Sequence, residues 1–97
     1  MKFNWDEKKN QTNSEKHGID FIDAEEIFNS IRLTVAYNRK DYGEPRKISI
    51  GKIGPHVCVV VYTERKGVIR IISARKANQR ESKKYYELIE RAKTKEN

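Results

Sequence analysis

Residues 46–75, RKISIGKIGPHVCVVVYTERKGVIRIISAR, decide the fold. Arg46 to Lys52 alternates, with Ile48 and Ile50 on one face, and Gly54-Pro55 turns the chain. His56 to Glu64 and Val68 to Arg75 are dense in β-branched residues and are separated only by Arg65-Lys66-Gly67. Connections this short join antiparallel strands, because a parallel return needs a long crossover. Just upstream, Leu33, Val35 and Tyr37 alternate with Thr34, Ala36 and Asn38, and NRKDYGEP (38–45) reads as a loop. The expectation is a four-stranded antiparallel meander.

Taking Arg65-Lys66 as a two-residue hairpin loop sets a register. Glu64 then faces Gly67, Tyr62 faces Ile69, Val60 faces Ile71, Cys58 faces Ser73 and His56 faces Arg75. In that register His56, Tyr62, Glu64 and Arg75 share one side of the sheet. His56 and Arg75 sit at one end and Tyr62 and Glu64 roughly 20 Å away, at about 3.4 Å per residue. A slip of one residue would reverse the facing.

Outward from the strands the pattern turns helical. Phe21, Ala24, Ile27, Phe28 and Ile31 predict an amphipathic helix over about 21–30, opened by Asp20 with Asp23 three residues on. Asp6 and Gly18 bracket EKKNQTNSEKH, a segment without one hydrophobic residue. A helix there is polar all round and must be held at its ends or by a partner. Phe3 and Trp5 before it, and Ile19 and Phe21 after it, are the anchors at hand, and KFNW (2–5) has the alternation of a short edge strand. The last segment, about 76–93, reads as a helix with Ala77, Tyr85, Leu88 and Ala92 on a thin apolar stripe and TKEN fraying beyond it. The predicted class is α+β: two N-terminal helices, a four-stranded antiparallel sheet with a possible extra N-terminal strand, and a C-terminal helix.

Ninety-seven residues predict one domain over 1–97, burying one core layer. The chain carries 21 Lys+Arg against 14 Asp+Glu, a net charge of +7 that favours polyanionic partners. A single cysteine, Cys58, excludes an internal disulfide framework and a Cys-based zinc site, and its apolar run VCVVV predicts a small buried side chain. No segment approaches the roughly 20 apolar residues of a membrane span, and the N-terminus lacks the apolar stretch of a signal peptide, so a cytoplasmic protein without membrane contact is expected.

His17 and His56 have no third ligand at helical spacing, and no Gly-rich phosphate loop or G-x-S-x-G motif occurs. What remains is an inventory of cations, tyrosines, two histidines and carboxylates. Cleavage of RNA without metal or cofactor needs such groups: a base for the 2′-hydroxyl, cations around phosphate and an acid for the departing 5′-oxygen. Lys9, Asn13 and Lys16 fall on one face of the polar helix, beside His17. Lys76, Arg80 and Lys84 are spaced to stack on one face of the last helix, following Arg75. The bland reading of both faces is solvated surface, with His17 favoured at a helix C-terminus by its cationic form. Trp5 is expected as a core anchor, while Tyr42 suits a base-stacking position as well as a packed one.

The string W5-D6-x-x-K9-x-x-x-N13-x-x-K16-H17-G18-x-x-F21-x-x-A24, with F28, Y42-G43-E44, I50-G51, V59-V60-V61-Y62-T63-E64-R65 and R70-I71-I72-S73-A74-R75-K76-A77, resembles the BrnT family of bacterial type II toxins. The resemblance runs in order along nearly the whole chain. It implies a RelE-like ribonuclease fold and RNA cleavage that halts translation. It also implies neutralisation by a BrnA-type antitoxin, a ribbon-helix-helix DNA-binding protein, in an assembly of two toxins with two antitoxins. The family's two polar blocks contain Lys9, Lys16 and His17, and Glu64, Arg65 and Arg75.

The expected site therefore places His17, Glu64, Arg75 and Arg80 in catalysis and Lys9, Lys16, Arg65, Lys76 and Lys84 on RNA. The competing expectation is a non-catalytic RNA- or ribosome-binding module that uses the same basic surface and breaks no strand.

Overall fold

The computed structural model describes residues 1–37 and 45–95. The 38–44 part of the predicted loop, with Tyr42, and the last two residues of the TKEN tail lie outside them. The order is β1 (Lys2–Asn4), α1 (Glu7–His17), α2 (Phe21–Ala24), a 3-10 segment (Glu25–Asn29), β2 (Leu33–Tyr37), β3 (Arg46–Ile53), β4 (His56–Arg65), β5 (Val68–Lys76) and α3 (Gln79–Lys95). The class is α+β, with helices on both faces of one sheet.

The strands run β1-β5-β4-β3-β2 across the sheet. The meander β2 to β5 is antiparallel, as predicted. The KFNW strand exists and pairs parallel to β5, Lys2 with Val68 through Asn4 with Arg70, so the sheet has five strands and is mixed. The two ends of the described sheet are thus β1 and β2.

The hairpin register differs from the expected one. Lys66 and Gly67 form the two-residue loop, at φ 53° and 78°, which leaves Arg65 opposite Val68, Glu64 opposite Ile69 and Tyr62 opposite Ile71. Two positive φ values are what the right-handed twist of a tight hairpin asks of its loop, and glycine supplies the second. A bulge then skips Ile72, so Val61 meets Ser73 and Val59 meets Arg75. Arg75 consequently turns to the face opposite Tyr62. His56 pairs with Ile53 on β3 instead of with Arg75.

The core lies on both sides of the sheet, in place of the single layer expected. On one side Cys58, Val60, Tyr62, Ile69, Ile71 and Ala74 pack under Ile19, Phe21, Ala24, Ile27 and Phe28. On the other, Ile50, Val57 and Val59 pack under Tyr85, with Ala77 and Ile89 against them. Phe28 meets Tyr62 edge-on at 4.9 Å, and Trp5 meets Phe21 at 6.1 Å, which makes Trp5 an anchor of the first layer.

The predicted 21–30 helix buries Phe21, Ala24, Ile27 and Phe28 as expected, while Ile31 lies beyond it and is exposed; only Phe21–Ala24 is α-helical and Glu25–Asn29 winds as a 3-10 segment. The predicted C-terminal helix starts later, at Gln79, because Lys76 is still paired with Cys58 as the last residue of β5. Asn78 and Glu81 open α3 reciprocally: Glu81 N–H donates to Asn78 Oδ1 at 2.8 Å and Asn78 N–H donates to Glu81 Oε1 at 2.9 Å. Lys76 therefore stands outside the helix, and the three-cation stack with Arg80 and Lys84 does not form.

Candidate functional site

The polar helix α1 forms despite its composition because two buried asparagines dock it. Asp6 caps its start, accepting from the Lys8 and Lys9 N–H groups, and Gly18 closes it in the left-handed conformation. Asn10 accepts from the Phe21 N–H at 2.8 Å and donates to Asp20 Oδ1 at 3.1 Å. Asn13 donates to the Ala74 carbonyl at 2.9 Å and to the Ile19 carbonyl at 3.1 Å, and accepts from the Ala74 N–H at 3.1 Å. Because β1 reaches only as far as Arg70, Ala74 lies on a stretch of β5 that β1 leaves uncovered, and Asn13 pairs there in place of a strand.

That docking fixes a cleft of about 370 Å³ between α1 and β5. Lys8, Lys9, Thr12, Asn13, Lys16 and His17 line its helix side, and Ile72 and Ser73 its strand side. The strand wall is the bulge itself, so the residue skipped in pairing with β4 is one that shapes the cleft. No carboxylate is among these lining residues. The other concavities described differ: one carries Asp23 and Glu26 beside His56, Cys58 and Lys76, another Glu7, Glu15 and Asp20, a third Glu87 and Glu90.

Three of the expected site residues, Lys9, Lys16 and His17, thus converge, joined by Lys8, which sequence reasoning passed over. Its signal was available: Lys8, Thr12 and Lys16 repeat at four-residue spacing beside Lys9, Asn13 and His17. Asn13 lines the cleft, but its amide is engaged by Ala74 and Ile19.

The other expected residues lie elsewhere. Glu64 is on the sheet face, with Lys47 Nζ at 3.1 Å. Arg75 makes two 2.8 Å bonds to the Glu81 carboxylate. That pairing lowers the Glu81 carboxyl below the ordinary carboxylate value and raises the Arg75 guanidinium further, with partial burial working against both shifts. Arg80 and Lys84 are exposed on α3. Arg65 is exposed beside the hairpin loop, and Lys76 lies by His56 and Cys58. Cys58 is 1% exposed and burial pushes its thiol up, as befits a packed side chain. Among the described residues, no three His, Cys, Asp or Glu side chains come together as a metal site, and no helix is long and apolar enough to cross a membrane.

A family model described as the ribonuclease toxin BrnT, of type II toxin-antitoxin systems, matches residues 5–81. The chain belongs to the BrnT family. The match begins at Trp5, spans the α1 cleft and the whole meander, and ends at Glu81, so both walls of the cleft belong to the shared BrnT body. Membership makes the chain a ribonuclease toxin with an antitoxin as partner and RNA as substrate. No curated protein matches the chain.

Proposed function

We propose that the protein is a metal-independent endoribonuclease whose reaction takes place in the α1–β5 cleft. The observation that carries this is the stripe of Lys8, Lys9, Lys16 and His17 facing the β5 bulge, free of carboxylates. Three ammonium groups attract a phosphodiester, and the imidazole is the one side chain there that both accepts and donates a proton near neutral pH. His17 takes the proton of the ribose 2′-hydroxyl as that oxygen attacks phosphorus. Lys9 and Lys16 hold the non-bridging oxygens while negative charge builds. The 5′-oxygen leaves with a proton from a lysine of the stripe, and a 2′,3′-cyclic phosphate remains. DNA lacks the attacking hydroxyl and is not cut. The metal independence rests on the donor set: ammonium groups, hydroxyls and a single imidazole are poor ligands for a divalent ion.

In the cell this activity arrests translation in the cytoplasm. A BrnA-type ribbon-helix-helix antitoxin neutralises it, two toxin chains with two antitoxins.

The test is incubation of antitoxin-free protein with end-labelled RNA in excess EDTA. The expected products carry cyclic phosphate ends, and 2′-O-methyl RNA stays whole. Salt-sensitive binding without scission would establish instead a module that only binds RNA or the ribosome.

A further inference from the structure

The two outer strands of the described sheet are guarded unequally. An outer strand presents backbone N–H and C=O groups in alternation, and proteins blunt such edges with charged residues, proline, bulges, short length or a covering element. β1 is three residues long and carries Lys2, and past Asn4 the helix α1 takes over that side of β5 through Asn13. β2 has none of these guards. Its sequence LTVAY holds no charge and no proline, and it pairs with β3 in an unbroken register from Leu33 opposite Ile50 to Tyr37 opposite Arg46. No described strand pairs with its outer side.

Apolar side chains gather along the same margin, on the α3 side of the sheet. Leu33 packs against the Ile50, Val59 and Tyr85 cluster, and Val35 lies opposite half-buried Ile48. Ile31, just before β2, accepts from Tyr85 OH at 3.3 Å through its carbonyl. Tyr86 lies beside Tyr85, with Lys52 Nζ 5.8 Å from its ring centre. Ile31, Val35 and Tyr86 are 51%, 47% and 47% exposed, three of the five large hydrophobic side chains that the described residues expose. Scattered singly they would need no explanation, but gathered along one open strand they mark an interaction surface. The charge there is one-sided as well. Arg46, Lys47 and Lys52 are on β3 and Arg32 enters β2, while neither strand holds a carboxylate. Glu64, which meets Lys47 at 3.1 Å, comes from β4.

We infer that the antitoxin docks on β2, adding an extended, acidic segment to the edge of the sheet as a further strand. The inference rests on the antitoxin that BrnT membership supplies and deepens that partner reading. It uses nothing of the chemistry assigned to the α1 cleft, which lies at β5, three strand spacings from β2, or roughly 14 Å. The backbone of a strand matches the alternating donors and acceptors of β2, which a phosphate chain, carrying acceptors alone, does not. Every second side chain of the added segment falls on the α3 side, beside Leu33 and Val35, and is apolar there. Its net negative charge answers the four cations of this flank. A second copy of the chain would instead bring the same cations and a further net charge of +7 to face them.

The experiment measures affinity for the labelled antitoxin by fluorescence anisotropy on wild type, Val35→Glu, Val35→Lys and Ile31→Glu, with melting and RNA cleavage followed on each. Val35→Glu is expected to weaken antitoxin binding at least about 10-fold, and Val35→Lys only about 3-fold, since the lysine meets an acidic segment. RNA cleavage by both stays at the wild-type level. Ile31→Glu, outside the strand itself, weakens antitoxin binding in the same sense and decides the matter if Val35→Glu does not fold. Hydrogen exchange at the outward amides of Leu33–Tyr37 should slow at least about 10-fold in the complex. Unchanged antitoxin affinity in the folded glutamate variants, or exchange along β2 that the antitoxin leaves unaltered, overturns the inference. So does a loss confined to RNA binding, and so does self-association of the wild-type chain that Val35→Glu abolishes, which would seat a second copy on β2. A wild-type chain that cuts no RNA yet binds the antitoxin through β2 defeats the chemistry of the cleft and leaves the docking edge standing.

Discussion

Asn13 holds Ala74 by both backbone groups, donating to its carbonyl at 2.9 Å and accepting from its N–H at 3.1 Å. Through that exchange a helix with no apolar side chain is seated on the edge of β5 that β1 leaves uncovered at this point. Asn13→Ala strands a buried donor and two buried carbonyls, at about 1–3 kcal/mol for each unmet group before relaxation. A net loss of about 3 kcal/mol is expected, a fall in Tm of at least about 12 °C at this chain length. A variant melting within about 3 °C of wild type would show that α1 is docked by something else.

Glu81 ties the end of β5 to the start of α3 by accepting from Arg75 and from the Asn78 N–H while its own N–H caps on Asn78. Its carboxyl titrates below the ordinary 4.5, so the proton binds more weakly in the folded chain than in the unfolded one. Its contribution is full above that ordinary value and disappears as pH falls through the lowered one. Glu81→Gln keeps a side-chain oxygen for the Asn78 N–H and removes only the charge, so it is expected to cost about 0.5–1 kcal/mol at pH 7, since the Arg75 side chain is 43% exposed and screened. Denaturant melts of both proteins from pH 7 down to pH 3 should show the gap narrowing only below the ordinary carboxylate value. A gap that stays constant would remove the ion pair from the account.

The strands were legible because Ile48, Ile50, Val57, Val59, Val60, Ile69 and Ile71 carry period and propensity in short range. The register was not, since it turned on which two residues bend. Lys66-Gly67 was the better pair for two positive φ values, and that signal stood in the sequence. The bulge at Ile72 had no local signal, yet it decides that Arg75 faces α3, on the side of the sheet opposite Tyr62 and Glu64. The 3-10 winding of Glu25–Asn29 was hidden as well, because repeats of 3 and of 3.6 bury nearly the same residues over so short a run. The parallel pairing of β1 brings residues 2–4 beside residues 68–70, beyond any local pattern. At the candidate site, the cations of α1 were readable from spacing. The dispersal of Arg75, Arg80, Lys76 and Glu64 followed from tertiary structure: a last helix that starts three residues later than expected, and a carboxylate, Glu81, claimed by both arginine and cap.

Lys9 and Lys16 line the cleft from exposed positions on α1. Removing both charges, Lys9→Ala with Lys16→Ala, is expected to leave Tm within about 3 °C, since exposed lysines on a helix contribute a few tenths of a kcal/mol. RNA affinity should fall at least 10-fold near physiological salt, and the log–log salt slope should shrink by about 1.4, or 0.7 for each phosphate released. An unchanged slope would place the RNA on another surface.

His17 ends α1 inside the cleft, where Gly18 turns the chain away and leaves the imidazole half-buried among lysines. In the proposed reaction it moves the 2′-hydroxyl proton, and a positioned proton carrier accounts for roughly 10²–10⁴ in rate. His17→Gln keeps a side chain of similar reach that cannot carry a proton, so single-turnover cleavage should slow by at least about 100-fold while affinity for uncleavable RNA changes less than about 3-fold. The same substitution in RNA carrying a better 5′-leaving group separates the two proton transfers. If His17 is the base, the variant stays slow, because the attacking oxygen still keeps its proton. Recovery of the rate would assign His17 to the departing oxygen instead and pass the role of base to a neighbour in the stripe.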